Sequence, residues 1–239
     1  MDQSRRFVAP GQNRLLSALS RDLQIRLLPR MEKLNLPIRQ MLYEPGAPIT
    51  HIYFPLSGVV SLVIALRGGE SVEVATIGNE GIVGTPVFLG SERSAAKVFS
   101  QVAGQALRMR VDNFKRSLEE HPELAEVVRR YVQGMINQIS QTTACNHVHS
   151  VHQRMCRWLL MTHDRVGNDE FHLTQEFLAQ MLGVRRPSVT VAAGVLQKAG
   201  LIAYQRGRIR ITDRPRLEAG ACECYDTVRQ EFDRLLTPV

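Results

Sequence analysis

The chain has 239 residues, 44% hydrophobic and 22% charged, with a formal net charge of +7. This composition fits a globular protein and excludes collagen-like, low-complexity and largely disordered chains. No apolar run approaches the ~18 residues of a membrane-crossing helix. The opening MDQSRRFVAPGQNR has charge but no apolar stretch behind it, so a cytoplasmic protein without a membrane partner is expected.

Residues 13–34 carry Leu15, Leu16, Leu19, Leu23, Leu27 and Leu28 at three- and four-residue steps, which predicts a helix. From about 38 to 110 the pattern changes to short apolar runs at 52–54, 59–66, 72–77 and 105–109. Turn signals such as Pro45-Gly46, Ser57-Gly58, Gly68-Gly69 and Gly78-Asn79 separate them. Strands of this spacing predict an antiparallel sandwich or barrel. A short helix at 112–118 precedes a long one from Glu123 to about His147. The long helix aligns Leu124, Val128, Tyr131, Met135, Ile139 and Thr142 in one stripe at near-heptad spacing. A stripe on so long a helix needs a cover, and a second copy of the chain is the expected one. Another helix follows over 151–166, then helix, turn, helix and hairpin over 172–212. The tail, 217–236, reads as an amphipathic helix with an acidic outer face.

The basic excess is local. Residues 150–216 hold 11 Lys/Arg against 5 Asp/Glu, whereas 1–149 hold 17 against 13 and 217–239 hold 2 against 5. Such a segment attracts phosphate backbones by releasing condensed counterions, although a solvated basic face would have the same composition.

The stretch HLTQEFLAQMLGVRRPSVTVAAGVLQKAGLI, 172–202, is more specific. Thr174 can cap a helix whose small Ala179 allows a close helix crossing. Gly183 suits a turn with positive φ. Leu178, Leu182, Val184 and Val189 supply the apolar seam, and Pro187 falls in the first turn of the next helix, where proline is tolerated. A helix-turn-helix needs this spacing, because its second helix must enter a major groove with its N-terminal side chains at base edges. Here those side chains are Arg185, Arg186, Ser188, Thr190 and Val191, while Thr174 and Gln175 open the first helix. The hairpin that follows alternates apolar and basic residues, and Arg206 and Arg208 make it a phosphate-contacting wing.

From about residue 25 to 213, and most closely over Leu173–Ile202 and the wing at Arg208-Ile209, the chain resembles the Crp–Fnr family of bacterial transcription regulators. The resemblance implies an α+β fold. A cyclic-nucleotide-binding-like β-roll spans 13–122 and a dimerisation helix and hinge 123–147. A winged helix-turn-helix spans 148–216, and a C-terminal amphipathic helix 217–239. It implies a homodimer on a palindromic operator, with RNA polymerase as a further partner. Pro187 stands where many members have glutamate, which changes the expected half-site preference.

Nucleotide-binding members have a Gly-Glu-Leu turn followed by Arg-Ser. Here the turn is Gly84-Thr85-Pro86, and Arg93-Ser94 follows; Ser140 on the long helix is the remaining polar candidate. Threonine cannot replace a carboxylate that accepts from a ribose hydroxyl. Cyclic AMP is therefore not the expected effector; another small molecule, or none, is, and Arg93 has the alternative reading of a structural or surface arginine. No cysteine precedes Cys145, which removes the N-terminal iron–sulfur chemistry of the family's redox branch. A haem held by His51 is less economical than an ordinary strand histidine. Cys145, His149 and His152 lie in a His-rich stretch at the hinge, read as a polar helix end. Cys222 and Cys224 are one residue apart, where a zinc pair is usually separated by two to four, so no metal is expected. No Gly-x-Ser-x-Gly, P-loop or His-Glu-x-x-His pattern is present, so no enzyme is expected. The competing reading is a ligand-sensing interaction module that uses the acidic tail and binds no DNA.

Overall fold

The computed structural model describes residues 13–68 and 71–237. The N-terminal stretch through residue 12, Gly69 of the predicted Gly68-Gly69 turn and the last two residues of the tail lie outside it. It is an α+β fold in which an antiparallel β-roll, a long helix and a winged helix-turn-helix follow one another.

Asn13 starts the described chain as a buried cap. Its Oδ1 accepts from Leu16 N, and its Nδ2 donates to the carbonyls of Pro55 and Gly81 at 2.9 and 2.7 Å. The expected single helix is two short ones, α1 (Arg14–Ser17) and α2 (Arg21–Leu27), interrupted at Ser20. Past Leu28–Arg30 the chain is already a strand. The leucine spacing was genuine, but Ser20 and Pro29 break it into pieces.

The roll has two sheets. β1 (Met31–Leu36), β7 (Gly104–Arg110) and β3 (His51–Pro55) pair in the order β1-β7-β3. The other follows β2-β6-β4-β5, from β2 (Met41–Tyr43), β6 (Lys97–Val102), β4 (Val59–Ala65) and β5 (Ser71–Ile77). A short α3 (Thr85–Phe88) lies between β5 and β6. Two further helices, α4 (Val111–Glu120) and α5 (Pro122–Val148), close the roll. Phe54 meets Phe114 edge-on at 6.4 Å in the core beneath them.

The stripe of α5 is covered within the chain. Leu124, Val128, Tyr131 and Met135 join the core of the roll, together with Val228, Phe232 and Leu236 of the tail. The tail is broken into α9 (Arg214–Ala219) and α10 (Cys224–Leu235), and α10 lies along α5. Phe232 stacks on Tyr131 with ring centroids 6.0 Å apart, against Gly134, where an added Cβ would sit 2.8 Å from the Phe232 ring. The stripe's need for a cover therefore does not call for a second copy. The outer side of α5 exposes two large apolar side chains, Ile136 (52%) near its middle and Val148 (73%) at its end.

Helix α6 (Val151–Val166) begins with a capping box between Ser150 and Gln153 and leads into β8 (Glu170–His172). Then come α7 (Gln175–Leu182), α8 (Arg186–Lys198), β9 (Ile202–Gln205) and β10 (Arg208–Ile211), the last two forming the sheet β8-β10-β9 with β8. This unit docks on the outer face of the roll. Val59, Val63, Phe99 and Val102 share one buried cluster with Trp158, Leu159, Leu173, Leu178 and Met181.

Two buried polar groups hold the junction. Arg165 of α6 is 7% exposed and pairs at 2.7 Å with Glu80, itself 6% exposed. The same guanidinium donates to Thr76 of β5 and to Gln138 Oε1 of α5. Nearby, burial pushes the Glu73 carboxyl up to about 7. In its protonated form it can donate to Ser61 Oγ at 2.7 Å, leaving the Ser61 hydroxyl to donate to Gln101 Oε1 at 2.9 Å. Trp158 Nε1 donates to the other Glu73 oxygen at 3.1 Å.

Two outcomes follow from these groups. A carboxyl whose folded pKa is raised binds its proton more tightly when folded. The stability it provides is full below the unfolded value and is lost as pH rises through about 7. Urea denaturation at pH 6 and pH 8 should show wild type losing about 1 kcal/mol more than Glu73→Gln over that window. Separately, Glu80→Leu strands a buried guanidinium and should cost about 3–5 kcal/mol. Glu80→Leu with Arg165→Met should recover most of that loss, because two apolar groups leave no unpaired charge.

Candidate nucleic-acid interface

The expected capping and turn chemistry is present. Thr174 Oγ1 accepts from Phe177 N at 3.2 Å at the start of α7. Gly183 ends that helix at φ +61°, a left-handed conformation that costs glycine little. Pro187 is the second residue of α8. Leu178, Leu182 and Val189 are buried between the helices, and Val184 is half-buried.

With that side inward, α8 turns the other outward. Arg185, Arg186, Ser188, Thr190 and Val191 are all exposed. Thr190 Oγ1 donates to Gln175 Oε1 at 2.8 Å, which ties the two helices together from the outside. Val191 is 68% exposed and Val195, one turn on, 50%. Large apolar groups on a solvent face are what a thymine methyl would meet in a major groove. Val195 was not among the expected contacts, although its i+4 step from Val191 signals the same face.

Arg206 and Gly207 form the tip of the wing, both at positive φ (+50° and +76°) between the paired residues Gln205 and Arg208. Such a two-residue turn matches the twist of the strands on either side. A cleft of about 450 Å³ between wing and helices is lined by Thr174, Gln175, Arg186, Arg206, His172 and Tyr204. It joins two arginines to the N-terminal turn of α7, where free backbone N–H groups favour an anion. His172 and Tyr204 belong to this wall although neither stood out in the sequence. Tyr204 is fixed by donating to Leu173 O at 3.1 Å. Arg208 is exposed but shared. Glu170 pairs with it at 3.3 Å and with Arg210 at 2.7 Å, and these arginines hold the Glu170 carboxyl below its usual range.

The effector candidates face different surroundings. Gly84 has φ +118° and approaches Ile52 and Tyr43 closely, and Thr85 is buried with its hydroxyl directed at Met135 Sδ. Arg93 is exposed and donates to Gly46 O at 2.6 Å, while Ser94 is buried and donates to Ala96 O. Ser140 is exposed and lines a cleft of about 410 Å³ between α5 and α10, with Asn137, Gln141 and Glu231. Thr85 thus packs on Met135, Arg93 engages Gly46, and Ser140 faces the α5–α10 cleft. His51 lies beside Thr50, 3.0 Å from its hydroxyl, and burial holds its imidazole below the usual value. Cys145, His149, Cys222 and Cys224 do converge, with their ligating atoms within 4.8 Å of one another.

Two family models match this chain. One, described as a cyclic nucleotide-binding domain, matches residues 33–121, and the other, described as a Crp-like helix-turn-helix domain, matches 153–219. The chain belongs to the Crp–Fnr family. It is a DNA-binding transcription regulator. A global nitrogen regulator of Synechocystis is 25% identical over 214 residues, covering 84% of this chain and 92% of the relative. A CRP-like cAMP-activated global transcriptional regulator of Mycobacterium tuberculosis is 23% identical, covering 80% and 88%. The fold is shared with FixK2 from Bradyrhizobium japonicum, with a TM-score of 0.68 at 13% identity, over 80% of this chain and 98% of that one. The c-di-GMP responsive regulator CLP of Xanthomonas campestris has a TM-score of 0.65 at 14% identity, over 81% of this chain and all of that one. Among the described residues no helix of this Crp–Fnr protein is long and apolar enough to cross a membrane.

Proposed function

We propose that this regulator acts in the cytoplasm as a homodimer on a palindromic operator, placing α8 of each copy in successive major grooves, and that it carries out no catalysis. The observation that supports this best is the unobstructed reading face of α8 beside the wing. Arg185, Arg186, Ser188, Thr190 and Val191 are presented together, and Thr174, Gln175, Arg206 and Arg208 surround them as phosphate contacts. Arg186 is the base reader in this arrangement, because a guanidinium at the tip of a groove-entering helix can reach guanine O6 and N7 together. Arg206 is the freer wing contact, since Glu170 already engages Arg208.

The two copies pair along the outer face of α5 around Ile136, the face that neither the roll nor α10 covers. RNA polymerase is the expected protein partner of the bound dimer, as is typical of the family. The effector is a small molecule other than a cyclic nucleotide held in the usual way. Thr85 packs on Met135 instead of supplying a carboxylate, and Arg93 is engaged with Gly46.

The test begins with genomic fragments selected by the purified protein. In gel shifts on such a fragment, Arg186→Ala should lose discrimination between the selected site and scrambled DNA by about 1–3 kcal/mol. Arg206→Ala should weaken both alike and reduce the salt dependence by about one phosphate contact. Glu170→Gln, which releases Arg208 and Arg210, should tighten binding to both. Unchanged discrimination in Arg186→Ala would remove α8 from the role of reader. Light scattering should give the mass of two chains for wild type and of one for Ile136→Glu; one chain in both would contradict the pairing.

A further inference from the structure

We propose that Cys145, His149, Cys222 and Cys224 form a structural zinc site that fastens the C-terminal helix to the hinge between roll and reader. The four come from places far apart in sequence. Cys145 and His149 lie one turn apart at the end of α5, and Cys222 and Cys224 lie at the entry to α10. All three cysteines are buried and free, and His149 is half-buried.

The distances suit one ion. Tetrahedral zinc with Zn–S near 2.3 Å and Zn–N near 2.0–2.1 Å requires about 3.8 Å between sulfurs and about 3.6 Å between sulfur and nitrogen. Cys145 Sγ and Cys222 Sγ are 3.6 Å apart, and Cys224 Sγ lies 3.6 Å from His149 Nδ1. The sulfur pair is much farther apart than the ~2.05 Å of a disulfide. Three sulfurs and one imidazole nitrogen are a common closed zinc donor set, with no position left for substrate.

The surroundings match as well. His149 directs Nδ1 at the cluster and Nε2 at Glu223 Oε1, 3.3 Å away. A carboxylate behind a ligating histidine fixes its tautomer and orientation. Gln141 Nε2 donates to Cys224 Sγ at 3.0 Å, as a donor to a thiolate would. Zinc with three thiolates carries one net negative charge. Arg157 is buried within electrostatic reach of Cys145, and its Nε has no hydrogen-bond partner among the described residues. Binding would release the three thiol protons to solvent and form three Zn–S bonds and one Zn–N bond, with no redox change. The Cys-x-Cys spacing that looks too short for a zinc pair places both sulfurs on the same side of the turn into α10, with Glu223 between them facing His149.

Full-length protein grown with zinc, passed over a chelating resin and measured by elemental mass spectrometry should retain about one zinc per chain. Cys222→Ser should lose at least nine-tenths of it, and Cys156→Ser, which alters a buried cysteine outside the cluster, should keep it. His149→Cys preserves four donors, so it should also keep zinc, which separates ligand loss from misfolding. Replacement by cobalt(II) should give thiolate-to-cobalt charge-transfer bands and the visible bands of a tetrahedral ion, altered in His149→Cys. Metal-free wild type with no such cobalt spectrum, or a Cys145–Cys222 disulfide found by peptide mass mapping, would overturn the site.

Discussion

The Arg165 guanidinium fixes how the two halves of this regulator meet. It extends from the last turn of α6, in the reader, into a pocket made by Glu80, Thr76 and Gln138, which belong to the roll and to α5. A buried ion pair of this kind adds little net stability, because desolvation consumes most of the Coulombic gain. Its value is geometric: any other placement of α6 leaves a charge buried without its partner. The apolar contact between the outer sheet face and Trp158, Leu159 and Met181 supplies the attraction, and Arg165 supplies the register.

Glu73 adds a titratable element to the same seam. Protonated, it completes a chain from Trp158 to Gln101, and ionised, it is a buried charge whose desolvation Ser61, Trp158, Arg165 and Arg157 offset only in part. The joint between roll and reader is therefore tight but finely balanced. Its polar members come from β4, β5, β6, the turn after β5, α5 and α6, so the seam ties the DNA-binding unit to several elements of the roll at once.

Much of the reader was legible in the sequence because its constraints are local. Thr174 as a cap, Gly183 at positive φ, Pro187 in a first turn and Val189 facing inward each follow from nearest-neighbour chemistry. The roll was partly legible. β3, β4, β5 and β7 announce themselves by apolar runs, whereas β1, with the polar Glu32, Lys33 and Asn35, does not. β6 escaped because Ser100 and Gln101 interrupt its pattern, and both are buried by contacts that only the tertiary fold creates. The stripe on α5 was correctly located, but its cover was not. Phe232 lies about a hundred residues downstream, and nothing local shows that α10 folds back onto Tyr131 and Gly134. The same holds for the thiol cluster, where two unremarkable cysteine groups become one only when the tail returns to the hinge.

In the proposed function, two copies of α8 read one duplex from the same side. Hydroxyl-radical footprinting of the full-length protein on a selected genomic fragment tests it most directly. Two matched patches of protection related by a dyad are expected, their centres about 34 Å apart along the helix. A single unsymmetrical patch, or cleavage identical with and without protein, would contradict it.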